Sequence, residues 1–329
     1  MNSLRVGVIG VGLMGEMHAR TYSQLPNVQL AAVADPSRER RDYVAGQFGV
    51  EAKFSDYEEL LKLDYLDAVS VCTPDEMHRD PVVAAAEAGK DIFLEKPLAT
   101  ELDDARRILN VVQESGVKLM VGYLLRFDPR YAQVKEAIDR GDLGDPVYIV
   151  SHRNSPHTEG PARYEPGTSL TTHVAVHDLD LIHWFTGAEP EVIQATGSDK
   201  KLSDKQMMDA ISALLTFPDG SFASVNYSWI LPDTSPTKLD ARMEVVGTEG
   251  SAYIGVPHQQ GVLMATEEGI TTPDLHHNPV VGDRLVGDLR EEIMAFVDSA
   301  LNDERPPITG EEAFASLKAA RAIIDALSD

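Results

Sequence analysis

The sequence predicts an α/β fold in two domains, a parallel sheet wound with helices followed by a strand-rich α+β domain. Three observations carry that prediction. Short apolar strands alternate with helical stretches from Leu4 to Gly122, the pattern of a parallel sheet covered on both faces. The first strand, with Val6, Val8 and Ile9, runs directly into Gly10-Val11-Gly12-Leu13-Met14-Gly15. From Ile211 to Val256 the apolar spacing changes to nearly period two, with turns at Pro218-Asp219-Gly220 and Gly247-Thr248-Glu249-Gly250. A chain of 329 residues is too long for one ordinary core. The domains are expected at 1–122 and 123–329, with the terminal helix 311–328 a candidate for packing back on the first.

In the glycine turn, Gly10 permits the sharp passage from strand to helix and Gly12 removes a side chain that would hold an anion off the backbone. Gly15 lets the helix approach the sheet. The helix start then offers free N–H groups and partial positive charge to a pyrophosphate. The second strand, Val28 to Ala34, ends in Asp35, about twenty residues past Gly15, where an acid bonds an adenosine ribose. Strand, turn, helix, strand and acid together read as a Rossmann dinucleotide-binding domain. Asp35 favours NAD, because a carboxylate accepts from a ribose diol and repels a 2′-phosphate. Arg38 and Arg40 lie near enough to leave NADP open, or else belong to a solvated helix face.

Ser37 to Phe48 and Asp56 to Leu63 read as helices, and Ala68 to Cys72 as a buried strand. Thr73-Pro74 ends it at the carboxyl edge, where open α/β sheets bind ligands. His78 follows at the start of the helix containing Val82 to Ala88, either beside the cofactor or on the surface. Asp91 to Leu94 is a short strand that delivers Glu95-Lys96-Pro97 to the same edge. Proline fixes its own φ and biases Lys96 away from the helical region, so the ammonium is carried on a stiffened backbone. Leu102 to Glu114 is helical and Val117 to Val121 is the last strand of the domain.

Beyond it, Asp128 to Arg140 reads as a helix and Pro146 to Arg153 as a strand. The polar stretch Asn154 to Gly167, with His157, Arg163 and Tyr164, is either a substrate-touching loop or a plain surface excursion. Thr171 to Trp184 reads as a helix on which His173, His177, Asp180 and Trp184 fall close to one stripe. In the strand Phe222 to Ile230, Val225, Tyr227 and Trp229 face one way while Ser224, Asn226 and Ser228 face the other. One sheet face is therefore apolar and the other wet or shared with another subunit. Thr271 to Asp283 is expected to be a loop, followed by helices Leu285 to Leu301 and Glu311 to Leu327.

The composition, 43% hydrophobic and 25% charged, is that of a soluble globular protein. The net charge of −24 argues against a nucleic-acid partner. No apolar run approaches a membrane span, and Met1 leads into the first strand without a basic and apolar leader, so a cytoplasmic protein is expected. Cys72 is the one cysteine, which excludes an internal disulfide and a thiolate metal cluster; it is expected to be a buried small residue.

The glycine turn, Cys72-Thr73-Pro74 with the later His78, Glu95-Lys96-Pro97, Arg126-Phe127-Asp128-Pro129 and His177-Asp178-Leu179-Asp180 occur in that order over most of the chain. In this succession the chain resembles the glucose-fructose oxidoreductase and inositol dehydrogenase (Gfo/Idh/MocA) family. The resemblance implies a large, open, mainly antiparallel second sheet with helices on one face, and a homodimer or homotetramer assembled through it. It further implies an NAD(P)-dependent oxidoreductase acting on a secondary hydroxyl of a sugar or an inositol-like polyol. Cofactor contacts are then implied for Gly10, Gly12, Leu13, Met14, Gly15, Asp35, Arg38, Thr73, Pro74, His78, Glu95, Lys96 and Arg126. Substrate contacts are implied for Lys96, Tyr123, His173 and His177, besides the loop residues His157, Arg163 and Tyr164.

Alcohol oxidation needs a hydride acceptor beside the carbinol carbon and a base for the hydroxyl proton, a role that histidine suits. The resemblance assigns it to His177, with Lys96 bonding the substrate hydroxyl and stabilising developing charge. Asp180 either orients the base or braces the helix. Four residues before His177 the inositol dehydrogenases commonly carry Asp; here the residue is His173, which cannot supply a fixed negative charge. That departure keeps open a catalytically inactive, cofactor-sensing regulatory protein of the same fold. An H-x3-H metal pair is a weaker reading, since the glutamate of HExxH and cysteine ligands are missing, and no metal is expected.

Overall fold

The structure, a computed structural model, describes residues 3–157, 164, 166–235, 239–255, 264–266, 269–271 and 275–327. It divides into two compact units, one formed by Met1–Phe127 with His276–Phe314, the other by Asp128–Leu275 with Ala315–Asp329.

The first unit is a six-stranded parallel sheet in the order β3-β2-β1-β4-β5-β6. Its strands are β1 (Leu4–Ile9), β2 (Val28–Ala34), β3 (Ala52–Phe54), β4 (Ala68–Val71), β5 (Asp91–Glu95) and β6 (Leu119–Gly122). Both faces are covered, which is why β4 and β6 are apolar and buried without alternation. The connecting helices are α1 (Leu13–Gln24), α2 (Arg38–Phe48), α3 (Tyr57–Leu61), α4 (Arg79–Glu87) and α5 (Leu102–Ser115). Ser37 caps α2 by accepting from the N–H of Arg40, and Asp56 caps α3 by accepting from that of Glu58. Gly49 and Gly116 end α2 and α5 in the left-handed conformation.

Three local features differ from the sequence-based expectation. The three-residue edge strand β3 is too short for a period to show. Cys72, just past β4, is half-buried instead of enclosed. The expected loop over 271–283 contains a minimal strand, Val280–Val281, which turns at Gly282 to pair with Arg284–Leu285. Beyond it, helix α8 (Asp288–Asn302) also belongs to the first unit: Phe296 meets Phe93 of β5 edge-on at 5.6 Å. Pattern reading left this segment with the second half because an apolar helix face does not name the sheet that it covers.

In the second unit the sheet order is β12-β11-β7-β10-β9-β8, with β7 and β10 parallel and the other neighbours antiparallel. The strands are β7 (Pro146–Pro156), β8 (Val192–Ser198), β9 (Ala210–Thr216), β10 (Phe222–Leu231), β11 (Asp240–Gly247) and β12 (Ser251–Ile254). Both predicted hairpin turns occur, pairing Thr216 with Phe222 and Val246 with Ser251. Along β10, Val225, Tyr227 and Trp229 are buried and Ser224, Asn226 and Ser228 half-exposed, the alternation that a half-covered strand requires. Helices α6 (Pro129–Asp139) and α7 (Val176–Thr186) belong to this unit. Its other sheet face exposes Leu214, Phe222 and Tyr253, and Tyr148 stacks on Phe222 at 5.6 Å. The last helix, α9 (Gly310–Ala326), is divided between the units at Phe314.

Candidate active site

The glycine turn has the shape an anion site needs. Gly10 has φ +83°, and a Cβ there would lie 2.7 Å from the carbonyl oxygen of Cys72. At Gly15 a Cβ would lie 1.8 Å from the carbonyl oxygen of Gly10, so neither position accepts a side chain. At Gly12 a Cβ would meet open space, and Gly12 precedes α1 with no side-chain cap. Leu13 is 64% exposed. Steric demand holds the turn closed toward the sheet and open outward, where the uncapped N–H groups of α1 face a ligand. These residues fit a dinucleotide pyrophosphate.

Asp35 stands at the end of β2 beside that turn. Its Oδ2 accepts from the N–H of Val11 at 2.8 Å and its Oδ1 from the N–H of Ser37 at 2.8 Å. The carboxylate therefore ties the turn to β2. Arg40 adds a second tether, donating to the carbonyls of Val11 at 3.0 Å and Gly12 at 3.1 Å and to Glu16 at 2.8 Å. Arg38, a cofactor contact implied by the resemblance, is exposed and lies 3.4 Å from Asp42 one turn along its own helix.

At the carboxyl edge of β4 and β5 the structure brings together Thr73, Pro74, His78, Glu95 and Lys96. Thr73 Oγ1 donates to the carbonyl of Met77 at 3.2 Å. His78 is buried, with Nδ1 2.7 Å from the carbonyl of Pro97 and Nε2 3.1 Å from that of Thr73. Burial pushes its pKa below the ordinary histidine value. Glu95 is turned into the core, where its Oε1 lies 2.9 Å from His18 Nε2, and the Lys96-Pro97 bond is cis. His78 and the Oε1 of Glu95 are thus engaged inside the protein. The physical reason is position: a strand's last inward side chain and a helix-start histidine under a proline turn must be satisfied internally. Lys96, between them, is half-buried. Arg126 and Tyr123, also in this unit, are buried, and Arg126 pairs with Glu312 at 2.8 Å. Burial raises the carboxyl of Glu312, but the charge and hydrogen bond of Arg126 outweigh it and hold the group below the usual range.

The second unit carries His173 and His177. The expected single helix over 171–184 is interrupted: Thr171–Ala175 forms a wider π turn before α7 begins at Val176. Such turns are frequent at functional sites. His173 lies within the turn and His177 in the first turn of α7, where its Nδ1 is buried. The ring of His173 packs on Tyr164 at 4.3 Å, and Tyr164 lies 5.9 Å from Trp229 of β10. Of the loop residues, then, Tyr164 is brought to the histidine turn. His157 follows the end of β7, and Arg163 lies outside the described residues. Asp180 is buried and accepts from Ser316 Oγ at 3.4 Å, bracing α7 against α9.

Sequence reasoning missed the partners of three residues. His18 lies on the buried α1 stripe Gly15, His18, Ala19 and Tyr22, a helical spacing that was readable, but its partners Ser70 and Glu95 are far away in sequence. Arg153 forms a buried two-pronged pair with Asp178, and Arg40 holds the glycine turn. Nothing local in the sequence announces either.

Residues 4–123 match the model of the oxidoreductase family with an NAD-binding Rossmann fold, and residues 131–253 that of the GFO/IDH/MocA C-terminal domain. The chain is 31% identical to scyllo-inositol 2-dehydrogenase (NAD(+)) of Bacillus subtilis, covering 96% of this chain and 92% of that one. It belongs to the GFO/IDH/MocA oxidoreductase family. Inositol 2-dehydrogenase of Rhizobium meliloti is 29% identical, covering 99% of this chain and 98% of that one. Among solved structures, scyllo-inositol dehydrogenase from Lactobacillus casei with bound NAD(H) and scyllo-inositol superposes with a TM-score of 0.87. It is 26% identical, with 99% of this chain and 97% of that one covered. As in the rest of the family, the first unit is an NAD-binding domain and the chain is an oxidoreductase.

Proposed function

We propose that this GFO/IDH/MocA protein is an NAD-dependent dehydrogenase of inositol-type polyols that oxidises one ring secondary hydroxyl. The observation that carries this reading is that relatives matched over nearly their whole length include NAD-dependent and other inositol 2-dehydrogenases, while the chain carries Glu95-Lys96-Pro97 and a helix-borne His177. NAD, when bound, supplies the hydride acceptor. In this reading Lys96 donates from Nζ to the substrate oxygen and stabilises the negative charge that develops there. His177 takes the hydroxyl proton at Nε2, since its Nδ1 is buried. Asp35 selects the ribose diol, and the engagement of Arg40 with Glu16 and the turn carbonyls supports NAD over NADP. Tyr164 and His173 pack ring on ring, and these two with Tyr123, His157 and Arg163 are proposed as substrate contacts.

A second reading has one observation in its favour: the family's usual Asp is His173, which is consistent with a cofactor sensor that has lost turnover. A spectrophotometric panel of scyllo-inositol, myo-inositol, free sugars and nucleotide sugars, run with NAD and NADP in parallel, decides between them. NADH formation with an inositol, and much less with NADP, is the expected result. Tight NADH binding with no turnover on any member would replace the enzyme by the sensor.

The open sheet face with Leu214, Phe222 and Tyr253 is proposed to bind a second copy of the chain, giving a homodimer or homotetramer. Light scattering on the wild type and on Phe222→Asp tests this; a monomeric wild type would refute it. Among the described residues no helix is long and apolar enough to cross a membrane. A cytoplasmic location is proposed, supported by the single cysteine and the strongly acidic composition.

A further inference from the structure

Lys96 is flanked on both sides by residues that a buried histidine holds. On one side, Glu95 Oε1 lies 2.9 Å from His18 Nε2, His18 Nδ1 lies 2.8 Å from Ser70 Oγ, and Tyr22 Oη lies 3.2 Å from the same hydroxyl. On the other, the carbonyl of Pro97 lies 2.7 Å from His78 Nδ1, whose Nε2 lies 3.1 Å from the carbonyl of Thr73. His18, Ser70 and Tyr22 are wholly buried, and His78 is 1% exposed. We propose that His18 and His78 are positioning residues for Lys96, bracketing the lysine so that its ammonium is aimed from a backbone fixed at both neighbours.

Three arguments carry the proposal. Glu95 is the last residue of β5, so pinning its side chain to His18 fixes the backbone from which Lys96 departs. Each histidine also reaches from a segment of the cofactor surface: His18 from α1, which follows the glycine turn, and His78 from the segment after Thr73-Pro74. The lysine is thereby referenced to both places that hold the dinucleotide. Finally, a buried ionisable pair such as Glu95 and His18 is a poor route to stability, because desolvation opposes it and an apolar pair of the same volume packs as well. Geometry at the lysine is what the arrangement provides, and a misplacement of about 1 Å near reacting atoms costs on the order of 100-fold in rate.

The inference rests on Lys96 acting at the substrate oxygen, and the test separates the two. In His18→Gln the amide reaches the position of Nε2 and Glu95, whereas in His18→Asn it reaches only that of Nδ1 and Ser70. At His78 the order reverses: Asn reaches Pro97 and Gln reaches Thr73. With scyllo-inositol as substrate, kcat is expected to fall about 10- to 100-fold in H18N and H78Q. It should stay within about threefold of wild type in H18Q and H78N, with NADH affinity unchanged in all four. A purely structural role would give both substitutions at each site the same effect, and that result overturns the proposal. Lys96→Ala with full activity would defeat the functional reading instead. Lysine order is then read without turnover, from the 13C signal of reductively methylated Lys96, assigned by its loss in K96R. A shifted signal kept in H18Q and H78N and moved to the solvent-lysine position in H18N and H78Q supports the bracket; one signal position in all four overturns it.

Discussion

Arg153 and Asp178 form a two-pronged ion pair inside the second unit, Nε to Oδ2 at 2.8 Å and Nη2 to Oδ1 at 2.9 Å. Both side chains are almost fully enclosed, at 6% and 2% exposure. Burial by itself lowers the pKa of Arg153, but the charge and hydrogen bonds of Asp178 more than offset this and raise it. The pair joins β7 to the residue next to His177, so it sets the roll of α7 at the histidine. Arg153→Met leaves a carboxylate buried without its partner, and stability should fall by about 3–5 kcal/mol. Urea unfolding checks this. In the double variant Arg153→Met, Asp178→Leu most of that stability should return while kcat remains low, because the helix loses its lateral reference.

Asp35 stiffens the glycine turn in addition to its proposed bond to the ribose diol. Removing it in Asp35→Ala frees the N–H groups of Val11 and Ser37 and deletes the acceptor for the diol. Loss of charged hydrogen bonds of this kind is worth about 1.5–3 kcal/mol, so the Kd for NADH should rise roughly 10- to 100-fold. A fluorescence titration measures it. Discrimination against NADPH should shrink in the same variant, since the repelling charge is gone.

His78 gives the first unit a predictable response to acid. Its pKa in the fold lies below the ordinary value of 6.5, because burial disfavours the imidazolium. Between the lowered value and 6.5 the unfolded chain binds a proton that the native protein does not, so stability is full above 6.5 and declines as pH falls below it. His78→Asn removes that proton site. Thermal unfolding from pH 8 to pH 5 should show a smaller acid-side loss in the variant than in the wild type.

The aromatic stack at Tyr164 makes a separate prediction about the substrate side. Tyr164→Ala removes the face on which His173 packs and the ring contact with Trp229. KM for the polyol should rise severalfold to tenfold, with KM for NAD unchanged. Steady-state kinetics with each substrate varied in turn reads the difference.

What was legible in the sequence follows from the range of the interactions concerned. The glycine turn, β2 ending at Asp35 and the alternation in β10 are written in neighbouring residues, and the structure reproduces them nearly to the residue. The π turn before α7 was not legible, since a periodicity reading spreads one extra residue over the whole helix and still puts His173 and His177 on one stripe. The resemblance implies cofactor contacts for Glu95 and His78. Their inward orientation depends on His18, Thr73 and Pro97, which only folding brings to them. Arg38 and Arg40 illustrate the same limit, for two residues apart on one helix the first turns to Asp42 and the second to the glycine turn.

The most direct test of the account is the single-turnover rate of NADH formation from scyllo-inositol in the wild type and in His177→Asn. A wild type that forms NADH, with a variant slower by about 100- to 10,000-fold and NADH affinity within threefold, is the predicted result for a proton acceptor. Equal rates in the two proteins would contradict the role given to His177.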